Sequence, residues 1–241
     1  KVYEKNKAIA KFRELVNKSC SLNIFYRRKI KAFSSVVASN SETYRQLVEI
    51  RGKTRIKRIV ELGLTDEYIN RTVKEKKNKK IRILYMGRLI EKKGIVFLLD
   101  VVQQLKNTIE FELDICGNGC LYNEVRRIID ECGLNDCVNM RGEIPHDQVT
   151  EYYQNADVFV LPSLRETGGT VLIEAMAYAL PIVAFNTSFC AQLNEQKCGI
   201  FVNTNQELEG IRDEFCNALV RLARDRQLCE DLGKNGYKFV N

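Results

Sequence analysis

The chain has 241 residues, 45% hydrophobic and 29% charged, which is enough apolar material for the core of one large or two small soluble globular domains. It contains no uncharged apolar run of about 18 residues, and the opening Lys1-Val2-Tyr3-Glu4-Lys5 is not an apolar leader, so a membrane-spanning helix and a secretory signal are excluded for this stretch. The formal net charge of +7 is uneven: residues 1–80 hold 22 Lys and Arg against 8 Asp and Glu, and residues 81–241 hold 16 against 23.

In chain order, residues 1–73 predict helices near 4–17 and 42–51, one strand over Ser35 to Ala38 and a short apolar run over Ile59 to Leu64. This resembles the closing elements of a preceding α/β domain, and the chain is expected to be a piece of something longer. Residues 74–80, Lys74-Glu75-Lys76-Lys77-Asn78-Lys79-Lys80, form a self-repelling linker. So basic a first third suits a phosphate-rich partner, such as an anionic bilayer surface or a lipid phosphate; a solvated surface explains it equally well. Nucleic acid is disfavoured because no zinc-finger, helix-turn-helix or RNP-type pattern accompanies the charge.

From residue 81 to 225, short apolar runs alternate with amphipathic stretches, the pattern of βα units and a parallel sheet. Strands are predicted over Ile81 to Met86, Phe111 to Cys116, Cys137 to Met140, Val158 to Leu161, Ile182 to Phe185 and Gly199 to Val202. Helices are predicted around 95–106, 121–132, 147–155, 170–179, 188–195 and 206–223. The continuous apolar strands imply burial on both faces, hence a doubly wound, Rossmann-like α/β sheet. Residues 226–241 predict a polar C-terminal helix that lies back across the preceding domain.

The nine cysteines include no CxxC pair, so reduced, mostly buried thiols are expected rather than a zinc or disulfide framework. The one histidine, His146 after Pro145, is expected at a helix start on the surface, not as a general base.

In an open parallel sheet, ligands bind beyond the carboxyl ends of the strands. After the first strand, Gly87-Arg88-Leu89-Ile90-Glu91-Lys92-Lys93-Gly94 places cations where a loop becomes a helix, an arrangement suited to an anion. After the second, Cys116-Gly117-Asn118-Gly119-Cys120 gives Gly-x-Gly, but Tyr122 replaces the third glycine of a dinucleotide fingerprint, so NAD is not implied. After the fourth comes Leu161-Pro162-Ser163-Leu164-Arg165-Glu166-Thr167-Gly168-Gly169-Thr170-Val171-Leu172-Ile173-Glu174. Gly168 and Gly169 let backbone N–H groups approach a phosphate, with Thr170 as a further donor. Glu166 and Glu174 would repel that anion unless they bind hydroxyls on either side of it. A nucleotide sugar, a diphosphate with a sugar at each end, satisfies all these groups.

This block resembles the E-x7-E signature of GT-B glycosyltransferases of family 4, the glycosyl transferases group 1 type. Gly87-Arg88, Lys93-Gly94, Ile115-Cys116-Gly117-Asn118-Gly119, Arg141-Gly142 and Ala156-Asp157-Val158-Phe159-Val160-Leu161-Pro162-Ser163 follow in the family's order. The resemblance covers about residues 81 to 223 and implies a retaining transferase with two facing Rossmann-like domains, this chain being mainly the donor-binding, C-terminal one. It implies that Arg88 and Lys93 neutralise the diphosphate leaving group, Glu166 contacts the donor sugar and Glu174 binds the ribose. Gly117, Arg141, Gly142, Thr167, Gly168, Gly169 and Thr170 would complete the donor site, with backbone from Arg141 to Ile144 at the base.

A UDP-sugar is the expected donor and a glycan or polyprenyl-phosphate-linked lipid the expected acceptor. No cofactor and no metal are expected, in keeping with the lack of an Asp-x-Asp triplet. The expected location is cytoplasmic, with peripheral association on the inner membrane face. Two departures stand out: Thr167-Gly168-Gly169 replaces the usual Gly-Phe-Gly, and Ala179 replaces a glycine before Pro181-Ile182-Val183, expected to be a packing variant. A GT-B sugar-nucleotide epimerase and a non-catalytic nucleotide-sugar-binding module are the alternatives.

Overall fold

Alternation of β-favouring runs with amphipathic stretches builds the sheet that the pattern predicts. The structure is a computed structural model that describes residues 31, 36–38, 47–50, 56–58 and 80–240, apart from 167, 168 and 188. In the first third, β1 (Val36–Ala38) pairs in parallel with β2 (Ile56–Arg58). The apolar run over residues 59–64, the helix predicted at 4–17 and all of the linker but Lys80 lie outside the described residues, while 47–50 are helical as expected.

The remaining chain runs β3 (Ile81–Met86), α1 (Ile95–Leu105), β4 (Phe111–Cys116), α2 (Tyr122–Glu131), β5 (Val138–Gly142), α3 (His146–Asn155), β6 (Val158–Leu161), α4 (Thr170–Ala177), β7 (Ile182–Phe185), α5 (Phe189–Asn194), β8 (Gly199–Val202), α6 (Leu208–Arg224) and α7 (Arg226–Val240). Six parallel strands stand in the order β5-β4-β3-β6-β7-β8. Strand order therefore reverses between β3 and β6, and with the right-handed crossovers that parallel strands follow as a rule, the helices on either side of that point fall on opposite faces. Every residue of β6 and β7 is buried, as expected for strands covered on both sides. On one face, Phe97 of α1, Phe185 of β7 and Phe215 of α6 pack with ring centroids 5.0, 5.6 and 5.8 Å apart. Tilted and edge-on contacts of this kind join helix, sheet and helix through aromatic area and quadrupole attraction.

At the amino end of the sheet, the Asp157 side chain is fully buried. It accepts hydrogen bonds from the Arg82 backbone N–H at 2.8 Å and the Arg226 guanidinium at 3.3 Å. A buried carboxylate is tolerated because both oxygens are partnered.

Three features differ from the sequence reading. β5 starts one residue later than expected and runs on to Gly142, because Cys137 closes a turn onto the Leu134 carbonyl while Arg141 pairs with Asp114 across β4. α7 lies on this domain: the Cβ that Gly233 lacks would fall 2.1 Å from the Ala179 carbonyl oxygen, and that of Gly236 2.9 Å from Met176. Finally, Ala179 is held at φ +53°. Glycine is favoured at such a position for its conformation, so the alanine is a strained residue and not a packing variant. Ala179→Gly is expected to raise stability by about 0.5–1 kcal/mol, the left-handed penalty less the entropy of a more flexible unfolded chain. Urea unfolding measures this, and an unchanged or lower midpoint would contradict it.

Candidate nucleotide-sugar site

At the point where strand order reverses, the loops that follow β3 and β6 meet. Their contact is backbone to backbone: the Leu164 N–H donates to the Lys92 carbonyl at 2.9 Å, and the buried Ser163 hydroxyl lies 3.3 Å from the same oxygen. Gly94, at φ +70°, permits this, since a Cβ there would fall 2.0 Å from the Pro162 carbonyl oxygen. The zipped loops bring Lys93 and Glu166 together with Nζ to Oε2 at 2.5 Å, their side chains 14% and 11% exposed. So little exposure lowers the local dielectric, so the attraction between the two charges is less screened than in a surface pair, at a cost in desolvation.

Glu166 is held at several points. Its Oε1 lies 3.4 Å from the Gly169 N–H, and its carbonyl accepts from the Phe189 N–H at 3.2 Å. Gly169 caps α4 at φ +64°, and its missing Cβ would collide with the Phe189 ring at 2.3 Å. The glycine here thus makes room for a protein side chain. Beyond it, the first N–H groups of α4, beginning at exposed Thr170, have no intrahelical acceptor and carry the helix's positive end. Thr167 and Gly168 lie outside the described residues.

Glu174 stands on the second turn of α4 and accepts a hydrogen bond at Oε2 from the Tyr153 hydroxyl of α3 at 2.8 Å. Burial raises its pKa above the usual carboxylate value, opposed by the Tyr153 bond and then by His146. His146 is exposed at the first position of α3, as expected of a helix-start histidine, and also faces this carboxylate.

Among the other predicted donor-site residues, Arg88 is exposed. Its carbonyl accepts from the hydroxyl of fully buried Tyr85 at 3.2 Å; burial and the charge of Glu166 push that phenol's pKa well up. Gly117 serves the fold, since a Cβ there would lie 2.0 Å from the Gly87 carbonyl oxygen, and its N–H donates to the Gly142 carbonyl at 2.6 Å. These contacts bring the loops after β3, β4 and β5 into register. The Arg141 side chain is tied to Asp114 at 2.7 Å, whereas Gly142, at φ +71°, has open space where a Cβ would stand.

None of the eight described cysteines is bonded to another, and six are buried. Burial pushes the Cys116 and Cys190 thiols up to about 12 and Cys198 to about 11, so they are inert packing groups at neutral pH. Among the described residues, no group of three or more His, Cys, Asp or Glu converges to hold a metal ion, and no helix is long and apolar enough to cross a membrane.

The sequence reading missed Tyr85, Tyr153, Ser163 and Phe189 as parts of this site. The tyrosines lie inside a predicted strand and a predicted helix, and nothing local tells where their hydroxyls go.

A parallel sheet with an acid–base pair and a helix N-terminus at its topological switch point defines a doubly wound α/β domain, with its candidate site where such folds bind ligands. The family model for glycosyl transferases group 1 matches residues 66–239, and the chain belongs to that family. It is 33% identical over 144 residues to the amylovoran biosynthesis glycosyltransferase AmsK of Erwinia amylovora, covering 57% of this chain and 35% of that protein. To the D-inositol 3-phosphate glycosyltransferase of Paenarthrobacter aurescens it is 28% identical over 158 residues, covering 63% and 38%. The chain thus spans little more than a third of the length of these curated relatives. Sucrose-phosphate synthase from Thermosynechococcus elongatus shares the fold with a TM-score of 0.71 and 24% identity, over 89% of this chain and 55% of that one. The GT-B, Rossmann-like architecture is thereby established.

Proposed function

We propose that this chain is the donor-binding half of a retaining family 4 glycosyltransferase that takes its sugar from a UDP-sugar. The observation that carries the reading is the Lys93–Glu166 pair, 2.5 Å apart at the switch point of the sheet. An ammonium has three donors, so Lys93 keeps Glu166 in place while turning another proton to a diphosphate oxygen. Arg88 and the N–H groups at the start of α4 supply the rest of the positive field. Charge developing on the departing β-phosphate is then met by fixed donors that need no reorganisation, the most effective form of electrostatic catalysis. Glu166, anchored through Oε2, accepts hydroxyls of the donor sugar, while Glu174 takes the ribose and the open side of Gly142 the base. No metal is assigned a role.

Similarity to the relative named for amylovoran biosynthesis supports a glycan acceptor. A lipid-linked acceptor and peripheral docking on the cytoplasmic membrane face would suit the basic first third.

Glu174→Ala in the full-length protein tests the donor reading. Its affinity for UDP, titrated calorimetrically with GDP and ADP in parallel, is expected to fall about tenfold, the worth of one charge-assisted hydrogen bond. An unchanged affinity for all three diphosphates would remove the ribose assignment.

A further inference from the structure

We propose that Tyr153 is a positioning residue for donor binding: its buried hydroxyl fixes the Glu174 carboxylate so that one oxygen stays directed at the ribose. The proposal deepens the donor reading above and depends on it.

The ring of Tyr153 is fully buried. It stacks on Tyr178, with centroids 5.3 Å apart and planes at 11°, and leans on Phe159 at 6.0 Å. Tyr178 is anchored in turn, its hydroxyl donating to Thr150 Oγ1 at 3.0 Å. Residues four apart on a helix share a face, as do residues three apart. Glu174 on α4 and Tyr178 at its C-cap therefore meet Thr150 and Tyr153 on α3 along one seam, with two aromatic rings and two hydrogen bonds. A stacked, enclosed ring has no freedom to swing, so the phenolic oxygen is placed by the fold alone.

That oxygen has one proton, and Glu174 Oε2 lies 2.8 Å from it and the Val171 carbonyl 3.5 Å. The nearer, charged acceptor takes it. Glu174 Oε1 has no hydrogen-bond partner among the described residues, so one carboxylate oxygen is fixed by protein and the other is left for ligand. An unanchored carboxylate would have to be ordered at the moment of binding, which weakens affinity. The bond also favours the charged, accepting form of Glu174 against burial. The titratable and charged groups facing Glu174 are Tyr153 and His146, both on α3. β6 and β7 are apolar, and α7 meets α4 through Gly236 and the turn after α4 through Gly233.

The test is Tyr153→Phe in the full-length protein, which keeps the ring and its stack. UDP affinity is measured from pH 5 to 8, with pyrophosphate as a probe that lacks ribose. UDP affinity near neutral pH is expected to fall about fivefold to tenfold, and pyrophosphate affinity to stay unchanged. Loss of the hydroxyl raises the Glu174 pKa, so the acid limb of UDP binding should move to higher pH. A purely structural role would lower the melting temperature and shift both probes together with the pH profile unmoved; that result overturns the proposal, as does wild-type UDP binding by Tyr153→Phe. Glu174→Ala, run beside it, separates the failures: if that variant binds UDP normally, the ribose reading falls and this proposal with it. If Glu174→Ala is impaired and Tyr153→Phe is not, only the positioning role falls.

Discussion

Gly94→Ala is expected to be among the most damaging single-methyl changes in the domain, costing about 3 kcal/mol of stability and abolishing measurable nucleotide binding. The backbone at φ +70° alone accounts for about 1 kcal/mol of that. The rest arises because the new Cβ would sit 2.0 Å from the Pro162 carbonyl oxygen. No side-chain rotation relieves a clash with main chain, so the two switch-point loops must part. Parting them breaks the Leu164 to Lys92 hydrogen bond and separates Lys93 from Glu166. Gly133→Ala is the matched control: its φ is +61°, its surroundings are open and it lies outside the site, so only the penalty of about 1 kcal/mol should appear. Urea denaturation of both variants, with UDP titration, measures the difference. Similar losses in the two would show that conformation, and not loop contact, sets the requirement at Gly94.

Lys93→Ala should have the second-largest effect, in two separable parts. Removing the ammonium leaves Glu166 as an uncompensated, nearly buried charge, a loss of about 3 kcal/mol in stability. It also removes a cation from the diphosphate, so UDP affinity should fall tenfold or more. Glu166→Ala is expected to lower sugar transfer more than UDP binding, since its assigned contact is with the sugar. The double variant Lys93→Ala/Glu166→Ala should regain much of the lost stability, because no stranded carboxylate remains, yet bind UDP as weakly as Lys93→Ala. Wild-type affinity in the double variant would mean that the lysine serves the fold alone.

Most of the sheet was legible because β6 and β7 are continuous apolar runs and β3 and β4 carry repeated apolar residues bounded by turns, and local pattern suffices for such elements. β5 was legible only roughly: its extension to Gly142 depends on an Asp114–Arg141 pair spanning 27 positions of sequence. Lys93 and Glu166 were each readable as ligand contacts from their loops. Their mutual bond spans 73 positions and needs the switch point to exist before it can be seen. Phe189 was hidden for a related reason, since the helix it begins is short and weakly patterned, and the collision that explains Gly169 belongs to another loop. Ala179 was visible as an oddity, but its cause is a backbone angle, which residue spacing does not encode.

Helix α7 packs closely at the end of α4, its Gly233 against the Ala179 carbonyl just beyond that helix and its Gly236 against the Met176 side chain. A long side chain absorbs a small displacement by changing rotamer, as Met176 can opposite Gly236, but a carbonyl cannot, so the contact at Gly233 is the stiff one. A shift of α7 therefore presses directly on the turn that closes the helix bearing Glu174, which couples α7 mechanically to the pocket.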